Sequence, residues 1–229
     1  MQHKTILSAL ALAGLGAAAA AQTQTHTVTI GGAFIDVHSK APPLHSTPPT
    51  LPPGAEARIE VDDAKTVVFG YEYRFTPQWG LEAALGIPPE HKTYGRDFIE
   101  AFGHISSVKQ VAPTVFVNYH FNDVLPKFSP FVGLGINYTK FTDARSTPSG
   151  NAASGGPTRI KLSDSWGLAG HVGFSYELAP QWSLVGTIAT AKVKSDVTAT
   201  TTTTTGDIVR TTTIDFRPVA YTLSVGYSF

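Results

Sequence analysis

A histidine, a carboxylate and a hydroxyl are the parts of an acyl-transfer centre, and His91, Asp97, His104 and Ser106 lie close together in the chain. Neither a nucleophile elbow nor a carboxylate pair at acid–base spacing accompanies them, so catalysis is not expected. The eight histidines show no metal-ligand spacing, His38 and His45 standing in or beside a proline-rich run. Cysteine is absent, which excludes thiolate and disulfide chemistry. No metal and no cofactor is therefore expected. Seventeen basic and seventeen acidic residues balance, which leaves no field to attract nucleic acid or an acidic partner.

A second set of ionisable residues is patterned differently. Glu72, Arg74, Glu82, His120, His171 and Glu177 occupy polar positions in runs where large apolar residues alternate with small or polar ones. Val67, Phe69, Tyr71, Tyr73 and Phe75 take one side of one such run; Val68, Gly70, Glu72 and Arg74 take the other. A period of two marks a strand with one greasy face and one slim face. The ionisable groups therefore share the slim faces, and carboxylates enclosed there need partners such as Arg74.

Eight strands of this kind are expected, over 27–37, 59–75, 79–87, 104–121, 129–141, 160–178, from Trp182 onward, and 214–229. In the last, Val219, Tyr221, Leu223, Val225, Tyr227 and Phe229 alternate with small or polar residues. Proline-rich 39–54 reads as a long exposed loop, as does 88–103 with a short helical turn over 97–102. A Gly/Ser/Pro loop covers 145–158, and threonine-rich 198–213 reads as a solvated extension of the last hairpin. The turns at 76–78, 122–127 and 179–181 are short and fall at one end; the long loops fall at the other.

An even number of strands with short and long connections at opposite ends predicts an all-β protein, an eight-stranded antiparallel transmembrane β-barrel with short periplasmic turns and long extracellular loops. Residues 1–21 have the basic start, apolar middle and alanine end of a secretory signal, which leaves 22–229 as the barrel. The last strand stops on Phe229, and a free apolar edge is avoided when that strand pairs with the first. It is also the segment expected to engage the barrel-assembly machinery. A soluble lipocalin-like barrel would wet its polar face, but Gly, Ala and Ser make that face too slim to wrap a core. The expected setting is the lipid of a Gram-negative outer membrane. Tyr73, Phe75, Trp79, Phe121, Tyr176, Trp182, Tyr227 and Phe229 suit an aromatic girdle at its inner interface, with Phe128 beside them.

Four ordered blocks resemble the OmpW family of small outer-membrane proteins. They are Ala112-Pro113-Thr114 leading to Asn118-Tyr119-His120-Phe121, the run from Pro130 through Thr139, Asp164-Ser165-Trp166-Gly167-Leu168-Ala169 with Gly173 and Tyr176, and Pro218 with Gly226-Tyr227-Ser228-Phe229. Pro88 and His91 resemble the family's proline–histidine element, although Pro89-Glu90 departs from its usual filler. The resemblance implies passage of small hydrophobic molecules through a lumen that opens sideways into lipid. It also implies that Trp166 turns inward as a gate, with Ala84 opposite, whereas simple alternation sends Trp166 outward.

Sorted by height, Glu72, Arg74, Glu82, His120, His171 and Glu177 make a charged floor, and Val68, Ala84, Phe116, Phe141, Ala169 and Phe216 an apolar funnel above it. An eight-stranded barrel is about filled by its own side chains. The floor is accordingly expected to plug the barrel, leaving an apolar solute only a sideways exit. The alternative is a packed structural or receptor barrel whose loops bind partners.

Overall fold

The computed structural model describes residues 25–122 and 124–229; the expected signal segment lies outside them. Eight staves form one closed antiparallel ring. In chain order the strands begin with β1 (His26–Val37), β2 (His45–Thr47), β3 (Ala57–Val61), β4 (Ala64–Arg74) and β5 (Trp79–Gly86). They continue with β6 (Glu90–Asp97), β7 (His104–Val111), β8 (Thr114–His120), β9 (Phe128–Ser146) and β10 (Thr158–Leu162). The last are β11 (Ser165–Ala179), β12 (Trp182–Ala191), β13 (Lys194–Thr203), β14 (Gly206–Asp215) and β15 (Pro218–Ser228).

The ring runs β1-β4-β5-β8-β9-β11-β12-β15, and β15 returns to β1 in a register from Thr27↔Ser228 to Val37↔Pro218. Closure leaves no strand edge in the ring, as a structure without water on its outer face requires. The outer face is apolar: Leu134 is 78% exposed, Leu168 76% and Trp166 73%. Val28, Ile30, Phe69, Leu81, Val117, Val132, Ile188 and Leu223 continue the same surface. A greasy surface of this extent belongs in lipid.

The strands that had been expected to run unbroken are divided at one height. Asp62-Asp63 separates β3 from β4, Ala112-Pro113 separates β7 from β8, and Ser163-Asp164 separates β10 from β11. Above these breaks the chain builds a crown. Here β3, β6, β7 and the upper part of β9 pair on one side, and β10, β13, β14 and β2 on the other. The Leu44 N–H donates to the Ala57 carbonyl at 2.7 Å and links the two groups.

Three expected loops are therefore structured. The 39–54 run contributes β2, because its Pro-free Leu44–Thr47 stretch can donate to β14. The 88–103 run contains β6, followed by the expected turn as a 3-10 helix at Glu100–Phe102. The 145–158 run contains α1 (Pro148–Ser154), capped by Thr147, whose Oγ1 accepts the Gly150 N–H at 3.0 Å. The threonine arm is a hairpin, as expected, but not a wholly solvated one: Thr201 is completely buried.

Candidate functional site

The polar cluster is built by β4, β5, β8 and β11, which aim alternate side chains into the ring. The Arg74 guanidinium donates to His120 Nδ1 at 3.2 Å, which leaves Nε2–H to donate to Glu72 Oε1 at 2.7 Å. Arg74 also lies 3.5 Å from Glu72 Oε2. The Asn118 amide donates to both Glu72 (3.0 Å) and Glu82 (2.7 Å), and its Oδ1 accepts from His171 Nε2 at 2.7 Å. One buried amide thus ties two carboxylates to a second histidine. Phe116 stacks flat on His171, the ring centroids 4.0 Å apart. These large groups fit only because β9 is bare opposite them. A Cβ on Gly133 would lie 2.2 Å from His171 Nε2 and 2.3 Å from Asn118 Oδ1.

Glu177 stands outside this cluster. It lies exposed at the short-turn rim beside the Glu177/Ala179 bulge, its N–H donating to the Lys127 carbonyl at 2.8 Å. The other five floor residues lie together.

The cluster fills one side of the lumen and leaves the other open. On β1, β12 and β15 the inward residues are small, among them Thr29, Ala33, Thr187, Ala189, Ala220 and Thr222. A cavity of about 1170 Å³ runs along that wall. Its lining includes Val68, Ala84, Phe116 and Ala169, and it continues past the charged groups to Thr76 and Gln78 at the short turns. The expectation of a complete plug is corrected: the charged groups project from one wall and do not span the ring.

Phe141 and Phe216 lie higher. Their rings stack at 5.0 Å within a buried cluster with Val61, Val108, Val193, Val197 and Ile214. That cluster separates the lumen from a second chamber of about 420 Å³ inside the crown, lined by apolar residues such as Leu51, Ile59, Phe98, Ile160, Ile208 and Phe216.

Trp166 does not turn inward. The β11–β9 register runs without a shift from Ser165↔Thr139 to Tyr176↔Phe128, so no bulge reverses the alternation. Ser165 is buried, Trp166 faces outward, and its ring packs on Tyr138 at 4.7 Å. The Phe141–Phe216 stack, and not Trp166, belongs to the buried cluster between the two cavities.

Between β5 and β8 the ring wall is interrupted beside the cavity. The β5–β8 pairing ends at Ala84↔Thr114, and pairing resumes in the crown at Glu90↔Lys109. Between them the Gln110 N–H donates to the Pro89 carbonyl at 3.1 Å. Pro88, Pro89 and Pro113 have no N–H to give. Gly86, Pro89 and Ala112 line the cavity at this break, and Leu85 and Ile87 lie exposed on its outer side.

The girdle residues lie at the short-turn end in contacting groups. Trp79 meets Tyr119 edge-on at 5.0 Å, Tyr119 meets Phe121 at 5.0 Å, and Trp182 meets Tyr227 at 5.0 Å. Tyr73 and Phe229 both pack on His26, while Phe75 and Tyr176 are exposed on the same outer surface. Phe128 stacks on Phe174 at 5.6 Å.

The residues weighed for acyl transfer do not converge. Asp97 pairs with Arg58 at 3.3 Å, and His91 is buried with Nδ1 3.1 Å from the Asp62 carbonyl oxygen. His104 Nε2 lies 3.0 Å from the hydroxyl of Ser107 and 2.9 Å from the carbonyl of Ser106.

Gln110 and the Val108–Val193 layer complete the site with Asn118, and of these the sequence pattern points only to Asn118. Asn118 alternates with Phe116 and His120, so its inward direction was legible, but its role as the shared donor was not.

The comparisons agree with this geometry. The OmpW family model matches residues 28–229. Outer membrane protein W of Vibrio cholerae serotype O1 is 33% identical over 159 residues, covering 69% of this chain and 70% of that protein. The dibenzothiophene metabolism operon protein PahQ of Pseudomonas aeruginosa is 29% identical over 147 residues, 63% of each chain. The crystal structure of the outer membrane protein OprG from Pseudomonas aeruginosa superposes with a TM-score of 0.78 at 24% identity, covering 90% of this chain and 96% of that one. The short turns are accordingly periplasmic and the crown extracellular, and this chain belongs to the OmpW family of Gram-negative outer-membrane barrels.

Proposed function

We propose that this barrel carries small hydrophobic molecules from the extracellular crown past the Phe141–Phe216 stack into the lumen, and releases them sideways into the bilayer between β5 and β8. The observation that carries this reading is the break in the wall between Ala84↔Thr114 and Glu90↔Lys109, where Gly86, Pro89 and Ala112 line the cavity. An apolar solute descending further would leave an apolar surface for a wall of hydroxyls facing ionised groups. That loses about 25 cal/mol for each Å² of apolar surface wetted. Passage through the break and past Leu85 and Ile87 into lipid incurs no such loss. The relative PahQ, named for an operon of dibenzothiophene metabolism, is consistent with an apolar cargo. Delivery of the barrel to the membrane through its β15 strand and the barrel-assembly machinery belongs to the same reading.

The test is uptake into liposomes carrying the refolded protein, with a small apolar dye against a sugar of similar size. Dye entry without sugar entry is expected. Ala112→Trp, which fills the break from one side, should slow the dye at unchanged folding. Unimpaired dye entry in that variant would remove the sideways route. Sugar entry would favour a second reading, a narrow axial pore, which draws on the continuation of the cavity to Thr76 and Gln78.

A further inference from the structure

We propose that the crown chamber selects hydrophobic molecules that carry one negative charge, with Arg210 as the residue that recognises it; this rests on the transport reading above. The ligand class is an aliphatic or aromatic body bearing a single carboxylate.

The residues of β14 alternate through the crown wall. Ile208, Arg210 and Ile214 all line the chamber, so Arg210 stands at an inward position between two apolar ones. Its guanidinium meets only neutral oxygens. It donates to Thr201 Oγ1 at 3.1 Å, to the Ser154 carbonyl at 3.3 Å and to Thr50 Oγ1 at 3.4 Å. Among the described residues the ion pairs of the crown engage Arg58, Arg96, Lys109, Arg145, Lys194 and Arg217, and none engages Arg210. Burial alone lowers its pKa, with no neighbouring carboxylate pulling it up. Arginine nonetheless stays protonated. A cation half-withdrawn from water without a counter-ion is costly, and a carboxylate entering the chamber offers the paired acceptors that a guanidinium fork matches best.

Its surroundings suit an amphipathic ligand. Ser46, Thr50 and Thr158 stand with Arg210 on the chamber's lining, the buried Thr201 bonding to Thr158 and Arg210 from behind it, while Leu51, Phe98, Ile160 and Phe216 are among its apolar residues. A ligand would place its charge against β14 and its body against the apolar wall, above the Phe141–Phe216 stack.

The competing account is purely structural. Arg210 holds the Ser154 carbonyl at the C-terminal end of α1, where a cation is favourable. A staple would not discriminate a carboxylate from an alcohol.

The experiment uses the full chain in zwitterionic nanodiscs at pH 7.5, with binding of naphthalene-2-carboxylate and of 2-naphthylmethanol read by fluorescence against empty nanodiscs. The native protein should bind the carboxylate about tenfold tighter or more, the scale of one charge-assisted hydrogen-bonded pair. Arg210→Gln should bring the carboxylate to the affinity of the alcohol and leave the alcohol unchanged. Arg210→Lys should keep part of the preference. Equal binding of the two ligands by the native protein overturns the proposal and leaves the apolar path standing. Equal weakening of both by Arg210→Gln assigns Arg210 to the staple. Binding of neither ligand overturns the apolar chamber itself and, with it, the transport reading.

Discussion

The two halves of the lumen are made from the same kind of strand and have opposite interiors. On β4, β5, β8 and β11 the inward set includes the large groups Glu72, Arg74, Glu82, Phe116, Asn118, His120 and His171, and β9 makes room for them with Gly133 and Gly135. On β1, β12 and β15 they are mostly hydroxyls and alanines, and a cavity remains. A barrel of eight strands is near the size at which side chains fill it. Whether space is left therefore depends on pairing large against absent side chains on one side and small against small on the other.

The largest effect should come from breaking the filled half at its one cation. Arg74→Met leaves Glu72 without its guanidinium, and loss of one partner of a buried pair is expected to destabilise by about 3–5 kcal/mol. Urea unfolding in lipid, followed by tryptophan fluorescence, checks this. Gly133→Ala should come next. Its Cβ collides with His171 and Asn118, and overpacking of this kind costs about 1–3 kcal/mol. The same measurement applied to Ala189→Leu sharpens the contrast. That side chain grows into the cavity and should change stability by less than about 1 kcal/mol. If Ala189→Leu were as damaging as Gly133→Ala, the two halves would not differ in packing.

A smaller effect is expected in the crown, from His91 above the wall break. Burial is the main influence on its imidazole and holds the pKa below the ordinary value, outweighing the Asp62 carbonyl and the charges of Asp62 and Asp63. The unfolded chain takes up this proton as pH falls through about 6.5, whereas the folded chain resists it. The crown should thus keep full stability above that pH and lose a little below it. Hydrogen exchange of β6 and β7 at pH 7.5 and 5.5 measures the difference, and His91→Gln should remove it.

Much of this was legible in the sequence because a period of two does not depend on distant context. It placed Phe116, His120, Glu72 and Glu82 inward and sent Leu134 and Leu168 to lipid. Trp166 shows the pattern outperforming analogy: no bulge intervenes, so alternation settles its direction. Alternation could not tell that Asp62-Asp63, Ala112-Pro113 and Ser163-Asp164 break their strands at a common height, because that depends on neighbours far along the chain. Arg210 was missed for a related reason. Read as a solvated arm, 198–213 had no inside, although the alternation through Ile208, Arg210, Ile214 and Phe216 was present. Thr147 ahead of α1, Pro148 at its first position and Gly155 after it were start and stop signals in a stretch that looked like loop by composition.

Of the eight staves, β9 alone continues from barrel into crown without a break. The others stop and restart, so an inserted residue at Asp62-Asp63 or Ser163-Asp164 can be absorbed in the gap and shifts no pairing on either side. An insertion in β9 between Tyr138 and Phe141 has no such refuge. It would turn Phe141 over to the outer face and carry the error into whichever tier had not yet paired. Seven of the staves let the crown and the barrel drift apart in length and sequence; the eighth obliges the two tiers to inherit one register.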